Sequence, residues 1–326
     1  MITDPQTIYQ ILANAVMNDI KTILVEGSYD IKKYESILSN SENIKDGSFC
    51  DSVKVIPIET IAKNTNNTEE MFYVGCEGII SALLDLDNNI SQHKADINAE
   101  KYILGIIDKD IRNHRENINP IPINNKLFLL PYYSIESFYI NEESVRIILK
   151  KSINSISLID NEIVSDLFNN SLNDTIDFLF YPVLDAYLKA TDSNHSPLAG
   201  YEFEYGYVKE KLKKDEYTAI KELNKQIIKK DISTFLDICK GKWFLECWVE
   251  KLIDRIKNLS NLCRNKKIKQ CQYCAIKKYE NKCQYKVHLS SLKKELFFDD
   301  IFLDQDFTNP KYEFLKIIHR FNQMYS

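Results

Sequence analysis

The chain has 326 residues, 44% of them apolar, which is enough to bury a sizeable core and argues against general disorder. The formal net charge of -5 does not by itself suggest a nucleic-acid-binding protein. The N-terminus has no basic start followed by an apolar block, and no apolar run reaches the roughly 18 residues of a membrane span. We therefore expect a cytoplasmic protein with no membrane contact.

The first part of the chain alternates short apolar runs with segments of helical spacing. Helical spacing is seen at residues 6–18, 28–38 and 76–87. Short apolar runs, predicted as strands, lie at residues 21–27, 53–58, 101–108 and 126–130. This alternation is typical of βαβ units with right-handed crossovers and a parallel sheet.

After Pro131 the apolar residues mostly follow helical spacing, which predicts a mainly helical second part. The aromatic stretch at residues 178–207 is an exception because it contains Pro182 and two glycines, and we interpret it as core or as a partner surface. We therefore predict an α/β fold, with an N-terminal helix and a parallel sheet over residues 1–145 and a mainly helical domain over residues 146–326.

Acidic side chains follow two of the predicted strands at the point where each ends. Glu26 ends the first strand in ILVEG, and Asp108 ends the third in GIIDKD, two residues before Asp110. The carboxyl ends of parallel strands meet at one edge of a sheet, so we expect Glu26 near Asp108. If the backbone stays extended, Asp108 and Asp110 point to the same side. Clustered carboxylates suit Mg²⁺, which prefers oxygen ligands, neutralises phosphoryl charge and activates the attacking water.

A strand followed by VEGxxD and a later strand followed by DxD resemble the Toprim domain, which topoisomerases, primases and OLD-type nucleases share. The resemblance covers about residues 20–140. It implies a Rossmann-like parallel sheet flanked by helices. It also implies a phosphodiester-cleaving site in which Glu26, Asp108 and Asp110 are catalytic and bind Mg²⁺ or Mn²⁺.

Two further acids occupy positions that the resemblance to OLD-like nucleases marks. Asp30, in VEGSYD, matches the second acid of the first motif and is a predicted metal ligand. Glu136, in YYSIESF, matches a glutamate after the last sheet strand and is a predicted catalytic residue. Simpler interpretations stay open, with Asp30 as a first-turn helix acid and Glu136 as a cap or salt-bridge partner. Separately, Arg112, His114 and Arg115 follow DKD and are candidate phosphate-binding side chains.

The sequence contains no GxxxxGK[ST] motif, so we expect the ATPase of an OLD-type system to be a separate protein. A Toprim chain of this length, with an SIES motif and a helical tail, resembles the effector nucleases of the PARIS anti-phage defence system. That resemblance implies an abortive-infection toxin that cleaves host tRNA after release from an ABC-type ATPase sensor. It also implies a homodimer, which is common among related nucleases. Two alternatives stay open: an OLD-like DNA nuclease, and a non-catalytic Toprim module that binds an ATPase.

Four of the eight cysteines crowd into one short segment, with the spacing C-x7-C-x2-C-x8-C, at Cys263, Cys271, Cys274 and Cys283. The central C-x2-C is a zinc-knuckle spacing, and the flanking cysteines would complete a tetrahedral S4 zinc site. An iron–sulfur cluster and four reduced, free thiols are the alternatives. The remaining cysteines are interpreted as small core residues: Cys50, Cys76, Cys239 and Cys247.

The same part of the chain is strongly basic, most densely at residues 255–290. Residues 251–290 hold eleven Lys or Arg and two acids, a net charge of +9, which leaves -14 on the rest of the chain. Interleaved tyrosines suit base stacking beside backbone contacts, so we predict a nucleic-acid-binding segment. The alternative is a solvated helix face. The predicted contact residues are Lys266, Lys267, Lys269, Lys277 and Lys278.

Overall fold

A computed structural model describes most of the chain, in these ranges: 5–44, 49–63, 72–93, 97–114, 125–192, 194–214, 216, 228–276, 282–287 and 294–326. The described residues form two compact units. The sheet unit takes its residues from Met1–Asp108, Ile118–Pro131 and Phe307–Ser326. The helical unit takes its residues from Lys109–Asn117 and Tyr132–Asp306.

The sheet unit contains a four-stranded sheet with strand order β2-β1-β3-β4, in which every pairing is parallel. The strands are β1 (Lys21–Val25), β2 (Val53–Pro57), β3 (Ile103–Ile107) and β4 (Leu127–Leu129). Both central strands, β1 and β3, are buried along their whole length, as expected for a parallel sheet covered on both faces. The predicted strands and the α/β class are therefore confirmed.

Helices make up most of the remaining described structure. In chain order they are α1 (Ile8–Asn18), α2 (Ile31–Leu38), α3 (Phe49–Ser52), α4 (Gly75–His93), α5 (Glu142–Ser152), α6 (Asn161–Thr191), α7 (Tyr205–Lys213), α8 (Ile232–Ile238), α9 (Gly241–Arg264), α10 (Gln272–Ala275), α11 (Lys294–Leu303) and α12 (Phe314–Asn322). Thr7 and Gln10 start α1 with a reciprocal capping box. Within the described ranges, no helix has both the length and the apolar character needed to cross a bilayer.

The packing of α4 on the sheet depends on a glycine in β3. A Cβ at Gly105 would lie 2.5 Å from Ile79 Cγ2 and 3.0 Å from Leu83 Cδ1, both on α4. Ile79 and Leu83 are buried in the core of the sheet unit together with Leu24 of β1. The absent side chain at Gly105 therefore allows α4 to lie directly against the centre of the sheet.

The core of the helical unit is built on α6 and α9, and α9 buries Trp243 and Trp248 completely. The prediction that residues 178–207 interrupt helical structure is wrong for their first part, because α6 continues through Pro182 to Thr191. Pro182 removes one backbone hydrogen bond, but it is buried together with Val183 and Leu184, and this packing holds the helix together. Tertiary packing therefore outweighs the local helix-breaking tendency of proline.

The end of the chain belongs to the sheet unit, and residues 132–145 group with the helical unit. Ser41 Oγ donates a hydrogen bond to Asn322 Oδ1, and Lys101 Nζ donates one to the Ser326 carbonyl at 3.0 Å. Helical spacing alone does not indicate which unit α12 joins. The boundary near residue 145, as a division between folding domains, stays a prediction.

Two glycine substitutions test this packing. Gly105→Ala should lower the free energy of unfolding by about 1–3 kcal/mol, because the added methyl group overlaps the branched side chain of Ile79. Gly206→Ala is the matched control, since a Cβ there meets nothing within 4 Å and the position is helical. It should be neutral or stabilising by up to about 1 kcal/mol. Urea unfolding measures both, and equal stability of the two variants would contradict the packing described for α4.

Candidate functional site

Glu26 and Asp108 lie side by side at the carboxyl edge of the sheet. Glu26 directly follows β1 and Asp108 directly follows β3, and these two strands pair in parallel. The backbone N–H of Asp108 donates a hydrogen bond of 3.0 Å to Glu26 Oε1, across 82 residues of sequence. Both residues are half-buried. The predicted proximity of these two acids is therefore confirmed.

The thiol of Cys76 lies at the same place. Cys76 is the second residue of α4, and its Sγ donates a hydrogen bond to Glu26 Oε1 and lies 3.8 Å from the carbonyl oxygen of Asp108. The interpretation of Cys76 as an ordinary core residue is incomplete: the side chain is buried, but it contacts the predicted catalytic glutamate. Sequence reasoning missed it because a lone cysteine in an amphipathic helix has no distinctive spacing.

Two other acids lie on the loops beside these strand ends. Glu59, just after β2, accepts a hydrogen bond of 3.1 Å from the backbone N–H of Ser28, and sequence reasoning missed this contact. Asp30 accepts a hydrogen bond of 3.1 Å from the buried amine of Lys33. That ion pair fits the interpretation of Asp30 as a local helix acid. Its role as a metal ligand stays a prediction.

Asp110 lies in the helical unit and has a left-handed backbone, with φ at 50°. The backbone is therefore not extended through Asp110, because β3 already ends at Ile107, and the expectation that Asp108 and Asp110 point to the same side does not apply. The backbone N–H of Asp110 donates to the Tyr133 carbonyl at 2.9 Å. Aspartate tolerates this conformation better than most residues, and such backbone strain is often retained at functional sites.

Glu136 is buried in a short 3-10 helix, Ile135–Tyr139, of the helical unit. Its carboxylate accepts a hydrogen bond of 2.6 Å from Ser134 Oγ. The first residue of α9, Gly241, lies so close that a Cβ there would be 2.0 Å from that hydroxyl. Ser134 and Glu136 thus lie beside the first residue of α9, where the helix dipole favours a negative charge, and the cap interpretation stays open. A catalytic role for Glu136 stays a prediction.

Asp237, in α8, is the centre of a polar network that sequence reasoning missed. It accepts a hydrogen bond from Lys109 Nζ and contacts His114 Nε2 at 2.7 Å. Burial raises the pKa of Asp237, but the bonds with Lys109 and His114 outweigh it and leave that pKa below its usual range. The opposite side of the His114 ring meets Tyr187, whose hydroxyl is 3.5 Å from Nδ1. The network orients His114, and phosphate binding by this histidine stays a prediction.

Arg112, the second candidate phosphate-binding residue, lies close to an acid in the same unit. Its Nε is 3.8 Å from Asp110 Oδ2. The guanidinium therefore offsets part of the negative charge of Asp110. Its binding of phosphate stays a prediction, and Arg115 lies outside the described residues.

The four clustered cysteines converge in the helical unit. Their Sγ atoms all lie within 4.8 Å of one another, and all four residues are buried. The sulfurs of Cys271 and Cys283 are 3.9 Å apart, close to the roughly 3.8 Å between tetrahedral ligands with zinc–sulfur bonds of about 2.3 Å. A buried group of four thiols at these distances can hold a metal ion.

The protonation of the cysteine cluster is uneven. Burial raises the pKa of Cys263 and that of Cys274 above the ordinary thiol value. Burial also raises the pKa of Cys271, but hydrogen bonds from the Gln284 and Cys274 backbones and from neighbouring thiols outweigh it and lower that pKa. The cluster therefore favours a thiolate at Cys271, and a metal would have to displace the protons of Cys263 and Cys274.

Three of the predicted nucleic-acid-binding lysines lie on the surface. Lys266, Lys267 and Lys269 follow the end of α9 and are all exposed. Lys266 has a left-handed backbone with φ at 58°, and the N–H of Lys267 closes the helix on the Leu262 carbonyl at 2.9 Å. Lys267 also lines a pocket of about 150 Å³ between α6 and α9. Lys277 and Lys278 lie outside the described residues.

A scan against protein-family models found no match to this chain, and a search among curated proteins found none either. The site is therefore interpreted from its own geometry and chemistry.

Proposed function

We propose that the protein is a phosphodiesterase of the Toprim type that depends on Mg²⁺ or Mn²⁺, with Glu26 and Asp108 as metal-binding acids. The single observation that carries this proposal is the hydrogen bond of 3.0 Å between the Asp108 N–H and Glu26 Oε1. It holds two acidic residues from distant parts of the sequence at one edge of a parallel sheet, where α/β proteins bind their ligands.

The donor chemistry fits a hard divalent cation. Mg²⁺ and Mn²⁺ prefer carboxylate oxygens, and Mg²⁺ usually retains several waters and takes only one or two carboxylates. Two adjacent carboxylates repel each other, and a bound cation relieves that repulsion. The metal, when bound, supplies charge neutralisation at the phosphoryl group and activates a water molecule. Glu26 would bind this ion or move a proton. The resemblance to the Toprim domain assigns Asp110 to the same motif as Asp108.

The substrate proposed is nucleic acid, with tRNA as the first candidate. Exposed lysines at 266, 267 and 269 support contact with a phosphate backbone, although the whole chain is acidic. The tRNA assignment, the anti-phage role, the homodimer and the separate ABC-type ATPase sensor rest on the resemblance to PARIS effectors. An OLD-like DNA nuclease and a non-catalytic ATPase-binding module are the alternatives that an assay must separate.

For the cysteine cluster we propose a structural Zn²⁺ held by all four thiolates. Four cysteine ligands leave no open position, which is typical of structural rather than catalytic zinc. The ion would join the end of α9 to α10 and the segment after it, because Cys263 lies in α9 and Cys274 in α10. It would therefore stabilise residues 264–270, the part of the basic segment that lies between Cys263 and Cys271.

Removing the charge of Glu26 tests the catalytic proposal. Removing a residue that only supports a metal ligand typically lowers activity by about 10–100-fold. Glu26→Gln keeps the shape of the side chain but removes the charge of a proposed ligand, so it should lower cleavage by more than that. The measurement is cleavage of tRNA and of plasmid DNA with Mg²⁺ or Mn²⁺. Glu42→Gln, at an exposed acid of the same unit, is the matched control and should cleave normally.

The two substrates separate the alternatives. Cleavage of plasmid but not tRNA would favour the DNA nuclease. No cleavage of either by the wild-type protein, together with no Mg²⁺ or Mn²⁺ binding, would favour the non-catalytic module. Full activity in Glu26→Gln would rule out this site.

Charge reversal tests the nucleic-acid interface. Changing Lys266, Lys267 and Lys269 to Glu should weaken tRNA binding at low salt. The slope of the logarithm of the binding constant against the logarithm of salt concentration should become shallower by about 3, or about one per lost phosphate contact. A control triple variant with the same charge change uses the exposed residues Lys213, Lys214 and Lys229. Binding and salt dependence that are the same in both variants would contradict a specific interface at 266–269.

Metal analysis tests the zinc proposal. The purified protein should contain one zinc per chain, and Cys274→Ser should lose the zinc and melt at lower temperature, whereas Cys239→Ala should keep the metal. Because burial keeps the thiols of Cys263 and Cys274 protonated, adding zinc to metal-free protein at pH 7 should release at least those two protons. Iron with acid-labile sulfide would favour a cluster instead, and a protein without metal would favour free thiols.

A further inference from the structure

Two donors from different elements converge on one oxygen of the Glu26 carboxylate. The Asp108 N–H, just after β3, donates to Oε1, and the Cys76 thiol of α4 donates to that same atom. Two donors that converge on one oxygen restrict rotation of the carboxylate about its last bond. Both contacts therefore help to orient the Glu26 carboxylate.

The position of Cys76 is determined by the backbone that precedes it. Gly75 starts α4 with φ at 61°, a left-handed conformation that favours glycine and turns the chain into the helix. Cys76 follows at once and is only 6% exposed. Its sulfur reaches both Glu26 Oε1 and, at 3.8 Å, the carbonyl oxygen of Asp108. The thiol therefore links the ends of β1 and β3 from the first turn of α4.

We propose that Cys76 is a positioning residue for the metal-binding carboxylate of Glu26. This inference deepens the proposed function and rests on it. Soft thiolates are poor partners for Mg²⁺, so the sulfur acts on the carboxylate rather than as a ligand of the metal. Groups that orient a metal ligand by hydrogen bonding typically change metal affinity or activity by about 10–100-fold when they are removed.

The experiment compares the wild-type protein with Cys76→Ala, Cys76→Ser and Cys239→Ala. Calorimetric titration with Mn²⁺ measures metal affinity directly, and the Mg²⁺ concentration that gives half-maximal cleavage is the second readout. Cys76→Ala should weaken Mn²⁺ binding by about tenfold or more. Cys76→Ser keeps a donor at the same position and should bind Mn²⁺ more tightly than Cys76→Ala. Cys239→Ala, which removes another buried thiol, should match the wild type in both readouts.

Melting temperatures separate positioning from folding. A purely structural role would lower the melting temperature of Cys76→Ala and leave the Mn²⁺ affinity of the folded protein unchanged, which would overturn the proposal. If Cys76→Ala does not fold, Cys76→Val, which fills the buried space without a donor, takes its place, and unchanged Mn²⁺ affinity in the folded valine variant would also overturn the proposal. Wild-type protein that neither binds Mn²⁺ nor cleaves would overturn the proposed function as well. Wild-type binding and cleavage with unchanged Cys76→Ala would overturn the positioning role alone.

Discussion

The parallel pairing of β1 with β3 determines the position of Glu26 beside Asp108. The register places Leu24 opposite Gly105, so the two strands end at the same edge of the sheet. Gly105 also leaves the space that α4 occupies, and α4 carries Cys76 to the Glu26 carboxylate. A single packing arrangement thus brings together two acids and a thiol that are widely separated in the sequence.

The features that support the proposed nuclease function are distributed over different stretches of this chain. The strand ends of the sheet unit carry Glu26 and Asp108, which suit a hard cation. The helical unit carries exposed lysines beside a buried cluster of four cysteines. A net charge of -5 for the whole chain conceals this separation. The proposed contact with nucleic acid therefore rests on local charge and not on the total.

Regular patterns in the sequence predicted the features that depend on local apolar spacing and strand order. Alternating strand and helix segments predicted the parallel sheet, and the rule that strand ends meet at one edge predicted the proximity of Glu26 and Asp108. Cysteine spacing predicted the thiol cluster, whose convergence the structure confirms. In each case, a short-range pattern is linked to the three-dimensional arrangement by a general rule of folding.

The features that sequence reasoning missed depend on contacts between distant residues. The bond from Cys76 to Glu26 and the network around Asp237 each join segments that no spacing rule connects. The left-handed backbone of Asp110 was missed because the strand ends earlier than the apolar run suggested. The continuation of α6 through Pro182 was missed because burial outweighs the preference of a single residue.

The proposed function requires a divalent ion bound at the edge of the sheet by oxygen atoms of Glu26 and Asp108. A crystal structure of the protein grown with Mn²⁺ tests this most directly, because manganese scatters anomalously and can be located independently of the refined coordinates. We predict an anomalous peak with carboxylate oxygens of Glu26 and Asp108 at about the 2.0–2.1 Å of magnesium–oxygen bonds or slightly longer. Fully occupied manganese elsewhere in the protein, with no peak beside these two carboxylates, would contradict the account.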